Sequence, residues 1–140
     1  MQSKGKNNLI IIRIFKEENV NKMIKEVCEK HKVNSAVIIS GIGQLKNIKL
    51  GYFKEKGNYA PQTFREPLEL LSLSGNICKD KNEFLLHLHA VLGDENKKAI
   101  GGHFIDGIVS VTAEIVLLKS VLDIKRKTDQ ETGLKNIWLR

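Results

Sequence analysis

At 140 residues and 15.8 kDa the chain is the size of one domain, long enough to bury about two thirds of its unfolded surface without a disulfide or a structural metal to hold it together. Two cysteines, Cys28 and Cys78, make no disulfide framework, and no apolar run approaches the ~18 residues of a membrane helix. The net charge of +7 sits wholly in the ends: residues 1–32 carry eight Lys/Arg against four Glu, residues 119–140 six against three acids, and the middle nine of each.

These numbers set expectations. The basic start, with Arg13 interrupting the apolar run 9–12, is not a secretory signal, so a cytoplasmic protein with no membrane partner is expected. Basic ends attract phosphate backbones without reading sequence, and they are equally the solvated surface of a Lys-rich protein.

Along the chain, the Ile-rich, β-branched residues 9–15 read as a strand. Val20, Met23, Ile24, Val27 and Cys28 recur at helical spacing, the stripe of an amphipathic helix over 18–31; His31 extends it near the C-terminal end, where a dipole-facing histidine is ordinary. Residues 35–40, bounded by Gly41 and Gly43, form a second strand, and 48–53 a third after a turn at 44–47. Residues 59–67, with Pro61 and Pro67, read as a loop into a fourth strand over 68–76, apolar on both faces, with Gly75-Asn76 as a turn. Strands over 84–92, 99–105 and 109–119 complete an α+β set, largely antiparallel sheet with one main helix. No repeat or linker divides residues 1–140, which are expected to form a single domain.

Three of the four histidines fall within residues 87–104, "HLHAVLGDENKKAIGGHF". The strand period of two places His87 and His89 on one face and Leu86, Leu88 and Ala90 on the other. With a hairpin loop at 93–97, Leu92 pairs with Lys98, Ala90 with Ile100, His89 with Gly101 and His87 with His103. Opposed Cβ atoms lie about 4.5–5.5 Å apart, so three imidazoles can converge on one ion at Zn–N distances of about 2.0–2.1 Å. Gly101 then leaves space beside the His89 ring, whereas a bulge at Gly101-Gly102 would turn His103 to the opposite face. Three neutral nitrogens suit Zn²⁺, with Ni²⁺, Co²⁺ or Fe²⁺ as alternatives, and leave a fourth position for water, a substrate group or a ligand from a neighbouring chain.

"LELLSLSGNI", "HLHAVLGDENKKAIGGHF" and "SVTAEIVL" in that order, with "SGIGQLKNIKLGYF" before and "TDQETGLKNIWL" after, resemble the PPC (plants and prokaryotes conserved) domain over nearly the whole chain. The resemblance implies a compact α+β subunit assembled as a homotrimer, and a metal at the motif histidines, here His87, His89 and His103. It also implies DNA association, the property of the plant members. Those reach the minor groove with an Arg-Gly-Arg-Pro hook that this chain lacks; its arginines, Arg13, Arg65, Arg126 and Arg140, are scattered.

Two function classes follow. One is a trimeric binding module with a three-histidine divalent-metal site and a DNA-binding or regulatory role. The other is a small zinc-type enzyme working at the open coordination position by metal-activated water or Lewis-acid polarisation. Glu114, amid apolar residues of a strand, is a candidate for a carboxylate orienting a histidine, for a catalytic base, or for half of an intersubunit ion pair with Arg13 or Arg65. Ser72, Ser74 and Asn76 form no Ser-His-Asp pattern, and the glycines at 41 and 43 are not followed by the GK[ST] of a phosphate loop.

Overall fold

A computed structural model describes residues 1–122 and 124–139; Asp123 and Arg140, counted in the C-terminal charge, lie outside the described residues. The chain opens with an antiparallel pair, β1 (Gln2–Lys6) and β2 (Leu9–Phe15). Along β2 burial alternates as the pattern requires, with Ile10, Ile12 and Ile14 buried while Leu9, Ile11, Arg13 and Phe15 face outward. β1 has no apolar alternation to announce it and forms because β2 offers it an edge, so the Ile-rich strand is flanked on both sides, by β1 and by β7.

Helix α1 (Val20–Lys30) is shorter at both ends than its apolar stripe suggests. It starts where Asn19 accepts a 2.9 Å bond from the backbone N–H of Lys22, the usual way an orphan amide of the first turn is satisfied. Its buried residues are the five of the stripe. Burial pushes the Cys28 thiol up to about 12, so this cysteine acts as a small hydrophobe.

The remaining strands are β3 (Ser35–Gly51), β4 (Gln62–Phe64), β5 (Leu68–Asp80), β6 (Glu83–Gly93), β7 (Ala99–Lys119), β8 (Lys125–Thr128) and β9 (Lys135–Trp138). Several expected breaks are absent. The two strands expected over 35–40 and 48–53 are one, its turn at 44–47 replaced by register shifts that bend it; those over 99–105 and 109–119 are likewise one. Gly75-Asn76 is no turn but mid-strand in β5, and the loop before β5 contains β4.

The seven-stranded sheet runs β1-β2-β7-β6-β5-β3-β4, with β7 also pairing β3. β7, β6, β5 and β3 therefore form a closed circuit, which removes the free edges that long apolar strands would otherwise expose. A single cluster of buried side chains joins α1 to the sheet through residues such as Ile12, Ile24, Leu45, Leu73, Leu88 and Ile115. α1 covers one face of the β2–β7 layer. The opposite face stays open and apolar, with Leu9, Ile11, Leu118, Val37, Ile39 and Ile42 exposed on three neighbouring strands. β8 and β9 form a separate hairpin.

Candidate metal centre

Strand β6 presents His87 and His89 on its outer side, while Leu88 and Ala90 are buried and Leu86 packs against the core. The hairpin into β7 closes one residue later than the loop at 93–97 implies, which moves each residue's partner by two. Gly93 pairs with Ala99, Leu92 with Ile100, Val91 with Gly101, Ala90 with Gly102 and His89 with His103. A shift of two preserves every face, so His103 joins the other two histidines, now opposite His89 and not His87. No irregularity interrupts the β6–β7 ladder, and Gly101 is needed for a different reason: a Cβ there would lie 2.8 Å from the Ala90 carbonyl oxygen.

The three rings form a nearly equilateral triangle, with centroid separations of 5.2, 5.3 and 5.4 Å. One nitrogen from each lies within 4.8 Å of the others, and His87 Nε2 and His89 Nε2 are 3.3 Å apart. That spacing matches the edge of a tetrahedron with metal–nitrogen bonds of about 2.0–2.1 Å. His103 Nδ1 is buried and finds no hydrogen-bond partner among the described residues. Burial and the neighbouring His87 and His89 push His103 down to about 4; burial, Arg126 and His89 lower His87. Both rings are therefore neutral at pH 7, with a lone pair free for a cation. The donor set suits a divalent ion of the zinc class.

Neighbouring strands shape the ground around the rings. Asn76 on β5 pairs with His87, and Gly51 on β3 with His103. Tyr59 packs edge-on against His103 at 5.1 Å between centroids, a position open only because Gly51 has no side chain; a Cβ there would meet the Tyr59 ring at 2.5 Å. At Gly75, with φ of +145°, a Cβ would sit 2.0 Å from the His87 carbonyl oxygen, so this backbone approach requires glycine.

Arg126 on β8 donates to Asn76 Oδ1 and, at 2.6 Å, to the Lys135 carbonyl of β9. The C-terminal hairpin is thereby tied to β5 beside the histidines. A cleft of about 210 Å³ lies between them, lined by Tyr59, His87, His103, Arg126 and Lys135 among others. Asn76 and Arg126 were not singled out from the sequence as site residues. A strand-disfavoured Asn inside an apolar strand was the one available signal.

Glu114 lies elsewhere. It is exposed, eleven residues beyond His103 on β7, opposite Arg13 of β2 and Ile42 of β3. It is neither part of the histidine cluster nor among the residues lining the cleft beside it, and its register partner on β2 is Arg13. The two free cysteines are also away from the cluster, which contains only histidine.

The depressed His103 value has a consequence for metal-free protein. The unfolded chain binds a proton at His103 near 6.5 and the folded chain near about 4. Between these values the unfolded state holds more protons, so stability rises with pH across the window and is lost as pH falls through it. The thermal midpoint in chelator is expected to be level above pH 6.5 and to drop toward pH 4, with His103→Gln flattening the drop. An unchanged slope in that variant would show that the half-buried His103 ring is not responsible.

Comparison with known proteins places this arrangement. The chain is 28% identical over 138 residues to the bifunctional protein GlmU of Synechococcus sp. (strain JA-2-3B'a(2-13)), covering 97% of the chain but only 21% of that protein; it thus spans about a fifth of the length of the curated relative. Among solved structures it resembles a "putative dna binding protein" from Bacteroides thetaiotaomicron (28% identity, TM-score 0.91, 99% of this chain and 96% of that one). It is similar to a plant- and prokaryote-conserved protein of Pyrococcus horikoshii (33%, 0.84, 99% and 95%) and to a metal-containing protein of Archaeoglobus fulgidus (28%, 0.83, 94% and 94%). A family model matches residues 1–121, and with the sheet, helix and histidine hairpin all within that span, the chain belongs to the Plants and Prokaryotes Conserved (PCC) domain family.

Proposed function

We propose that residues 1–140 act as one PCC-type module that is homotrimeric and cytoplasmic, that His87, His89 and His103 hold a divalent ion, zinc foremost, and that the role is DNA-binding or regulatory. The observation that carries the metal reading is the set of three histidine nitrogens within 4.8 Å of one another, supported by the likeness to a metal-containing protein. Elemental analysis of protein purified without an affinity tag tests it directly; protein with no divalent metal that also fails to take up added zinc would end it.

The trimer reading draws on the open apolar face formed by β2, β7 and β3. Exposed apolar patches of this kind mark interaction surfaces, and a second copy brings an identical one. Glu114, opposite Arg13 at the margin of this face, is read as an ion-pair residue of the interface. No helix among the described residues is long and apolar enough to cross a membrane.

For DNA, the relevant charges are the lysines of the ends, such as Lys4 and Lys6 on the exposed strand β1 and Lys125 and Lys127 on β8. A trimer triples them and adds avidity. Binding to duplex DNA is expected to be weak and sequence-independent, falling at least about tenfold between ~50 and ~200 mM salt, since each neutralised phosphate adds about 0.9 to the slope of log K against log salt. It should persist in chelator. Tight, sequence-selective binding at physiological salt would contradict the non-specific reading, and no binding at low salt would remove DNA as a partner.

The second reading, a small metal-dependent enzyme, is favoured by one feature: two of the three histidines, His87 and His103, line a cleft. A divalent ion bound there supplies Lewis-acid polarisation of an oxygen ligand. Tyr59 and Arg126 would flank that ligand and orient it. On this reading, turnover disappears in chelator and in His103→Ala and is indifferent to removal of residues 1–6.

A further inference from the structure

We infer that the cleft beside the histidines is a receptor for a small organic carboxylate, with one oxygen at the coordination position the histidines leave open and the Arg126 guanidinium gripping the anion. This rests on the reading of His87, His89 and His103 as a divalent-metal site.

Charge is the first argument. Three neutral imidazoles offset none of the charge of a divalent ion. Among the described residues the cleft lining contains no aspartate or glutamate and contributes two cations, Arg126 and Lys135. So much positive charge in a partly enclosed space is costly unless an anion enters with the metal. Glu114, the one carboxylate offered for this chemistry by the sequence, is at the far end of β7.

Preorganisation is the second. A guanidinium carries five N–H donors in a planar fork matched to a carboxylate. Arg126 spends one on Asn76 Oδ1 and one on the Lys135 carbonyl, and its buried Nε has no partner among the described residues. These two bonds hold the head group against strands β5 and β9, so little side-chain entropy is lost when an anion binds. Asn76 in turn is the β5 partner of His87. The residue that positions the arginine and the residue that holds the ion are thus neighbours on one ladder.

Shape selects the class of anion. At about 210 Å³ the cleft is smaller than the roughly 300–1,000 Å³ of sites for drug-sized ligands. Leu85, Leu86 and Leu134 form its apolar side. A short alkyl carboxylate places its tail against these leucines, whereas inorganic phosphate has nothing to put there.

The test uses the full-length protein loaded with Co²⁺, whose visible bands report changes at the ion, titrated with butyrate, acetate and inorganic phosphate. Uptake of Co²⁺ is measured first, so a protein that takes up none fails on the metal reading, before any anion is added. In metal-loaded protein, butyrate is expected to shift the bands saturably and to bind more tightly than acetate or phosphate. Arg126→Gln should weaken butyrate at least tenfold at unchanged Co²⁺ stoichiometry. Lys135→Gln, which leaves both bonds of the guanidinium intact, should weaken it two- to threefold, and it decides the matter if Arg126→Gln fails to fold. The proposal is overturned if phosphate outcompetes butyrate, if butyrate leaves the bands unchanged, or if the folded variants bind butyrate as the wild type does.

Discussion

Alanine at His87, His89 or His103 is expected to lower zinc affinity by about 100-fold or more, a larger loss than the 10–100-fold typical when only a group hydrogen-bonded to a metal ligand is removed. The rings sit in a triangle of 5.2 to 5.4 Å, so each contributes one of three nitrogens and no fourth histidine can replace it; His31 lies at the end of α1, bonded to Ser3. The fold should survive, because this hairpin enters the core through Phe84, Leu88, Ala90, Leu92 and Phe104 and not through the three histidines. Zinc stoichiometry measured by elemental analysis on each variant, alongside thermal melting without metal, separates the two effects. Wild-type stoichiometry in all three variants would mean that the cluster is not a metal site.

Ile11→Asp together with Ile39→Asp is expected to convert an assembly of about 47 kDa, three times 15.8 kDa, into a monomer of 15.8 kDa. Ile11 and Ile39 are each 55% exposed and Ile42 is 51% exposed. Fully burying such a side chain contributes roughly 1.5–3 kcal/mol, so half of that from several residues on each of three subunits is ample to hold a trimer at micromolar concentration. A charge in the middle of the same face reverses the sign, because it must be desolvated without a partner. Neither substitution touches the core, since Ile10 and Ile12 carry the burial on β2. Light scattering at micromolar concentration reads the result, and a wild-type protein that is already monomeric would remove the assembly reading.

Much of the local structure was legible because it follows from short-range periodicity. The stripe Val20, Met23, Ile24, Val27 and Cys28 is the buried face of α1, and the alternation in residues 9–15 is that of β2. The same period of two set His87 and His89 side by side. Glycine and asparagine misled where they usually punctuate: Gly43, Asn47 and Gly75 lie inside continuous strands, because the closed sheet needs bends and close backbone approaches that such residues permit.

The sequence by itself determined which side chains share a face, because that depends on a repeat of two or of 3.6 residues and on nothing farther away. It therefore determined that two histidines are paired and that their strand turns its leucines to the core. Tertiary structure alone decided that His103 lies opposite His89, since hairpins summing to 190 and to 192 keep identical faces and differ only in loop geometry. It alone brought Arg126 of β8 to Asn76 of β5, fifty residues away, and sent Glu114 to the opposite end of β7 from His103. Those placements depend on how a bent, closed sheet returns on itself, a property of long-range strand pairing that no local pattern of residues records.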